Sequence, residues 1–524
     1  METPSSDSSP AKLRGIRWWP AWLILLLAAG AILVVQLRED FPFQRRNLTS
    51  FSIGLGAAAL LLLWWIILSR SRWRLRLGVT LGVLAGLGLG ASLFKIRGVS
   101  GDLVPILGWR WVKSGRAAPA SVAAPAVQAA APVVAVPSGE FPQFLGPTRD
   151  GILSGLRLDP DWSAHSPQLL WRQPVGAGWS GFVVAAGRAI TQEQDGPDEL
   201  VTAYDLLTGR RLWAHADAAH YGNPIGGEGP RATPTIVGER VYTLGSTGRL
   251  NVLDLATGRV LWTRDLIADS GATMPEWGYA GSPLMLGDKV IVSAGGHSDK
   301  SLLAYRADTG ELLWGAGTDG AGYGSPFLTT LAGRSQILAF NGHRITAHDP
   351  INGTVLWEHP WGIGYPHVAV PVLAGSDRVM FTSGYGVGAE LLQVEAKPGG
   401  VLGVSRVWQS KKLKAKFANP VARDGFVYGL DDGILACVDL ADGSQRWKEG
   451  RYGHGQGLLV ADLFLLMAEN GELILLRPTP TAPNELARHR VFSSKTWNPI
   501  ALAGEFLLVR NDQEAACLKV TLAK

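Results

Sequence analysis

Apolar and polar residues follow two different rhythms along this chain. In the first part the apolar residues run unbroken, over residues 18–37, 51–69 and 77–94, without a charge inside any run. Each run is long enough to cross a hydrocarbon layer of ~30 Å as a helix rising ~1.5 Å per residue. From about Phe141 the apolar residues come instead in short alternating stretches separated by Gly, Asp and Asn. That is the period of half-buried β-strands joined by tight turns. The pattern predicts three transmembrane helices followed by an all-β domain.

A signal peptide fits only the first run, and two further runs follow it without a small-residue cleavage site. Flanking basic residues give an orientation. Lys12, Arg14 and Arg17 precede the first run, and Arg70, Arg72, Arg74 and Arg76 lie between the second and third. Positive flanks stay in the cytoplasm, which predicts a cytoplasmic N-terminus and a β domain outside. Residues 1–17 then form a cytoplasmic tail and 18–94 the anchor. Residues 95–140 hold a juxtamembrane stretch with Trp109 and Trp111, suited to the membrane interface, and an Ala/Val/Pro spacer. In the third run Gly78, Gly82, Gly86 and Gly90 recur every fourth position, a stripe that either admits a neighbouring helix or is merely tolerated in lipid.

Within residues 141–524 one phrase repeats. It reads AYDLLTGRRLW ending at Trp213, VLDLATGRVLW at Trp262, AYRADTGELLW at Trp314, AHDPINGTVLW at Trp357 and CVDLADGSQRW at Trp447. A strand ends at Asp, a Gly with positive φ makes the turn, and the next strand ends in a Trp that packs between repeats. A second phrase, a small polar residue, two apolar residues and a turn, occurs eight times, starting near Ser180, Thr233, Ser282, Ser325, Val370, Asn419, Gln456 and Asn498. A period of about 45 residues signals a propeller or solenoid. The last unit stops one strand short, and the orphan LLWRQPV around Trp171 supplies a candidate for it. Joining the termini in one blade removes exposed sheet edges. The expectation is an eight-bladed β-propeller, with seven blades as the alternative.

The Asp-x-x-Thr-Gly-x-x-x-Trp phrase resembles the PQQ-like (quinoprotein alcohol dehydrogenase-like) repeat family. The resemblance covers roughly residues 141–524 and implies the propeller fold. It also implies two kinds of function, envelope protein assembly and quinone-dependent alcohol oxidation. The chain departs from the assembly-factor pattern in having three apolar runs where a lipobox cysteine would be expected. It departs from the dehydrogenases in lacking their adjacent cysteine pair.

Composition now narrows the functions. The net charge of +5 is spread out, with no long basic run, which argues against nucleic-acid binding. Two cysteines cannot make a disulfide framework, and Cys437 and Cys517 fall on equivalent strand positions as apolar fillers. The eight phrase starts form a ring that is polar at every blade but Val370 and holds no Asp or Glu. Larger residues precede it: Trp179, Arg231, Tyr279, Tyr323, His367, Lys416, His454 and Trp497. Arg231, Tyr279, Tyr323, His367, Lys416, Asn419, His454 and Asn498 are therefore the candidate funnel for a ligand or peptide; alternatively, they only line a wet channel. Calcium wants carboxylate oxygens and alcohol oxidation wants a carboxylate base. The sequence thus favours a non-enzymatic scaffold with a protein or peptide partner and no cofactor, ahead of an oxidoreductase using PQQ and calcium.

Overall fold

A computed structural model describes residues 16–38, 41–111, 139–362 and 366–523. It divides into two units, residues 1–113 and 114–524.

In the first unit, helices α1 (Trp19–Leu37), α2 (Phe43–Leu63, continued by a π-helical turn Trp64–Leu68) and α3 (Trp73–Leu93) are each long and apolar enough to cross a membrane. α2 starts earlier than its apolar run, so Arg45 and Arg46 lie in its first turns. Aromatic and arginine side chains gather at both ends of the helices. At one end the Trp64 indole N–H donates to the Arg17 carbonyl at 3.2 Å, and that of Trp65 to the Arg76 carbonyl at 3.2 Å. At the other, Phe41 lies between the guanidinium groups of Arg38 and Arg45, 4.5 and 4.3 Å from the ring centre. Such belts suit the two water interfaces of a bilayer. After α3 the chain forms a hairpin, β1 (Phe94–Val99) and β2 (Pro105–Trp109).

The second unit is a ring of eight antiparallel blades. Blades one to seven occupy residues 183–217, 235–265, 284–316, 327–360, 372–410, 421–451 and 456–490. Blade eight takes three strands from residues 501–519 and its outer strand from β4 (Gln168–Pro174). β4 pairs with Glu514–Lys519, placing Trp171 opposite Cys517, so the ring closes through the two ends of the domain. Buried Arg510 fastens the same seam, donating to Thr191 Oγ1 and to the carbonyls of Gln192 and Gly176, each at 2.8 Å.

The repeated phrase has a physical reason visible at five blade junctions. The Trp of one outer strand lies on the turn Gly of the next blade: Trp171 on Gly209, Trp213 on Gly258, Trp262 on Gly310, Trp314 on Gly353 and Trp408 on Gly443. Several of these indoles also donate to a carbonyl in that turn, Trp171 to Leu206 at 2.9 Å and Trp262 to Ala307 at 3.1 Å. Gly310 is required twice over, by a φ of 74° and because a Cβ there would lie 2.7 Å from the Trp262 ring. Gly310→Ala is expected to cost about 2–4 kcal/mol, from the left-handed backbone and overpacking together. Chemical denaturation should show a lower midpoint with an unchanged slope. Blade five lacks the Thr-Gly turn. Trp357 of blade four accordingly donates to Gln336 Oε1, at 2.6 Å within its own blade. The outer strands of blades five and seven, whose phrases are degenerate, form all the same as Leu402–Ser410 and Glu485–Arg490. Cys437 and Cys517 are fully buried and unpaired with one another.

Candidate functional site

The two faces of the ring carry different loops. The turns between first and second strands, and the Gly turns between third and fourth, lie on one face. The links from one blade to the next, with the turns between second and third strands, lie on the other. All the candidate funnel residues fall in or beside the blade-to-blade links, so they belong to that second face.

The polar ring itself proves to be a set of stitches between blades. Thr233 Oγ1 accepts the Gly181 N–H at 3.0 Å, Ser282 Oγ accepts that of Thr233 at 2.9 Å, and Ser325 Oγ that of Ser282 at 2.9 Å. Asn419 Oδ1 accepts the Val370 N–H at 2.9 Å. The Asn498 amide donates to the carbonyls of Gly178 and Ser180, both at 2.9 Å, across the closing seam. Each of these stitches satisfies a buried backbone group of the neighbouring blade. Asn419 and Asn498 are in this way accounted for as structure.

Of the residues preceding the ring, Tyr279, His367, Lys416 and His454 are buried and Arg231 and Tyr323 partly exposed. The Tyr279 hydroxyl donates to the Ala294 carbonyl at 3.0 Å, and burial pushes its pKa up to about 12. The His367 ring stacks on Phe340 at 4.5 Å, its two nitrogens 2.7 and 3.2 Å from the carbonyls of Asn341 and Gly362; burial lowers its pKa. Lys416 is 1% exposed, with its ammonium 5.5 Å from the Tyr385 ring centre. Substituting it would test packing rather than docking.

A cationic–aromatic cluster occupies the same face, with Trp179 and Trp497 each buried at 8% exposure and Lys495, Arg231 and Phe417 partly exposed. Trp179 and Trp497 lie with ring centres 4.9 Å apart, and Phe417 extends the row at 4.9 Å from Trp497. The Lys495 ammonium sits 3.9 Å from the Trp497 ring centre and 4.8 Å from that of Trp179, inside cation–π range. Burial lowers the Lys495 pKa, against the pull of Asp512 and Glu469. Arg231 stacks over Tyr221 at 4.7 Å and donates to the carbonyls of Gly229 and Gly226 at 2.8 and 3.1 Å. Burial lowers its pKa, opposed by Tyr221, Glu199 and Tyr323. The Gly-rich loop before blade two is what holds it. Tyr323 accepts the Trp277 N–H at 3.4 Å, and burial raises its pKa to about 12. Lys495, Tyr221 and Tyr385 were not among the sequence candidates. The sequence pattern offered one large residue per blade, one to three positions before each phrase start; in blade eight that residue is Trp497, which passes over Lys495 two positions earlier, and Tyr385 arrives on a different turn.

Three acids of this face are engaged. Glu199 accepts the backbone N–H and hydroxyl of Ser246, and burial raises its pKa. Glu469 accepts the Trp497 indole N–H at 3.0 Å and the His454 N–H at 2.9 Å. Asp319 accepts the His343 N–H at 2.8 Å. Among the described residues no three His, Cys, Asp or Glu side chains converge as a metal-binding group.

The opposite end of the axis is crossed by the segment that leads into the domain. Phe141 bridges to Val184 of blade one, and the Pro142 carbonyl accepts the Ile236 N–H of blade two at 2.7 Å. The Gly151 carbonyl accepts the Leu459 N–H of blade seven at 2.8 Å, and β3 (Ile152–Leu153) adds to that blade in parallel. Between these points Arg149 is 3% exposed and reaches the carbonyls of Pro283, Ser282 and Pro326 at 3.0, 3.1 and 3.3 Å. Its guanidinium thus bonds one member of the polar ring, Ser282, through the backbone.

These features define an eight-bladed propeller strapped at one end and presenting aromatic and basic side chains at the other. The family whose description is outer membrane protein assembly factor BamB matches residues 161–277 and 227–449, which span more than half of the 524-residue chain. The chain belongs to this PQQ-like propeller family. No curated protein matches it. Similar solved structures include BamB from Moraxella catarrhalis, at 15% identity and a TM-score of 0.48 over 67% of this chain and 99% of that one. The quinohemoprotein alcohol dehydrogenase from Comamonas testosteroni is similar at 13% identity and 0.42, over 74% and 82%. A europium-containing methanol dehydrogenase is similar at 11% and 0.44, over 73% and 98%.

Proposed function

We propose that this chain is a membrane-anchored scaffold whose propeller stands outside the cytoplasm, at the inner membrane. It binds a protein or peptide partner during envelope protein assembly, and it works without a redox quinone. The observation that carries this reading is the cluster at Trp179, Trp497, Lys495 and Arg231. Aromatic faces beside desolvated cations are what interface hot spots are made of, while the nearby acids that a calcium–quinone site would use are held by Ser246, Trp497 and His343. Membership of the assembly-factor family supports the scaffold, and the three apolar helices with their flanking arginines support the anchor.

Photo-crosslinking from position 277 in cells tests the docking face. Capture of defined envelope proteins is expected, and it should fall about tenfold or more in Lys495→Ala/Arg231→Ala, the loss of two hot-spot side chains. Unchanged capture would sink the docking face. Stoichiometric PQQ binding with calcium-dependent dye reduction would favour the oxidoreductase instead. A reporter that works only outside the cytoplasm, fused after Lys524, should be active; an inactive one would reverse the topology.

A further inference from the structure

The β1–β2 hairpin has two chemically different faces and, among the described residues of its unit, no second sheet against either. Phe94 pairs with Trp109 and Ile96 with Leu107. Side chains of directly paired residues share a face, so these four form one apolar surface. The Phe94 and Trp109 rings lie against each other, centres 4.6 Å apart and tilted by 34°. Ile96, Leu107 and Trp109 are 65%, 62% and 51% exposed. The other face carries Lys95, opposite Gly108, and the Arg97 side chain lies across that glycine. A two-stranded hairpin is marginal in water by itself, and an exposed apolar face makes it worse.

Two contacts fix where this surface lies. The Arg110 N–H donates to the Leu93 carbonyl at 2.7 Å, which ties the base of the hairpin to the last residue of α3. At its tip the Asn47 amide donates to the Asp102 carbonyl at 3.0 Å, near the start of α2. The hairpin is held at the level where two helices end, beside the belt of Phe41, Arg38 and Arg45.

We propose that this hairpin is an interfacial anchor that seats its Phe94–Ile96–Leu107–Trp109 face in the bilayer surface. Its occupant is phospholipid. The argument rests on the reading that α3 spans a membrane. If it does, the residue after its end is already in the headgroup layer, and the apolar face continues the apolar surface of the helix. The headgroup region adds roughly 5–7 Å on each side of the hydrocarbon, deep enough for Lys95 and Arg97 on the upper face to stand among phosphates. Aromatic rings and basic side chains are the residues that partition there.

The test uses spin labels on the full chain in phosphatidylcholine vesicles containing phosphatidylglycerol. Cys437 and Cys517 are fully buried, so an introduced cysteine is labelled selectively. The variants are Ile96→Cys, Leu107→Cys and Lys95→Cys, with Leu84→Cys in mid-α3 as the span control. Labels at 96 and 107 should collide with dissolved oxygen more than with an aqueous nickel chelate, and the order should reverse at 95. Adding Leu107→Asp should move the label at 96 into water. If positions 96 and 107 are water-exposed while 84 is in lipid, the anchor is wrong and the span stands. Labels shielded from both reagents would mean that protein covers the face, which also overturns it. A water-exposed label at 84 removes the span and the anchor with it.

Discussion

Trp171→Ala is expected to open the ring at its only junction made from the two ends of the domain, at a cost of about 3–5 kcal/mol for a buried aromatic removed to a methyl. The side chain is 8% exposed, lies on Gly209 and donates to the Leu206 carbonyl at 2.9 Å. The same contact recurs at Trp213, on Gly258 with a 3.1 Å bond to Leu255, so Trp213→Ala is the matched control. Both should lower the denaturation midpoint. Only the Trp171 variant should also loosen β4 as a unit, because β4 is joined to Glu514–Lys519 by pairing and not by a short turn. Proteolysis under native conditions should then cut at Arg172 in the Trp171 variant and leave that site intact in the control. Equal protection at Arg172 in both would show that the seam does not depend on this side chain.

What was legible in the sequence follows from how local each cause is. The Asp-x-x-Thr-Gly-x-x-x-Trp phrase encodes a hairpin and the ring that covers the next one. Both requirements fall within eleven residues, and five copies were enough to fix the fold. The closing strand was legible for a global reason, since a unit one strand short and an orphan strand of the same type complete each other. The outer strand of blade five was harder. Its Trp408 follows a long Pro-Gly-Gly turn, yet it reaches Gly443 like the others. The funnel was legible in position but not in exposure. Position just before each phrase start finds the links that approach the axis, and it does not tell a side chain folded back under Phe340, such as His367, from one that stays partly exposed, such as Arg231. Lys495 escaped because its partners, Trp179 and Trp497, come from opposite ends of the sequence and meet only when the ring closes. The strap at residues 139–153 escaped altogether. It has no period, and its bonds are to backbone N–H and C=O groups of the blades, which carry no sequence signal.

That strap makes the second large prediction. Arg149 carries a charge into the interior and no carboxylate meets it; burial lowers its pKa to about 10. Its bonds are to three carbonyls drawn from blades three and four, and to Gln143 Oε1 at 3.3 Å. Two terms oppose each other. Desolvation of the guanidinium destabilises the folded chain, and hydrogen bonds from a charged donor, about 1.5–3 kcal/mol each, stabilise it. The lowered pKa means that desolvation outweighs the bonds for the charged form, but deleting the side chain does not return its acceptors to water. Arg149→Ala should therefore destabilise by about 3 kcal/mol, since it leaves buried carbonyls unpaired and a cavity on the axis. Arg149→Lys keeps the charge but has no planar fork to span three acceptors, and should recover only part of the loss. The sign with pH is also fixed. A folded-state pKa below the unfolded one means that the unfolded chain holds its proton more tightly, so this group's contribution rises with pH once the folded value near 10 is passed. Wild type measured by denaturation between pH 9 and 11 should thus gain stability relative to Arg149→Ala, on the order of 1 kcal/mol per pH unit. A wild-type-like Arg149→Ala would mean that the carbonyls find water as readily as they find the arginine, and that the strap is held by Phe141 and β3 alone.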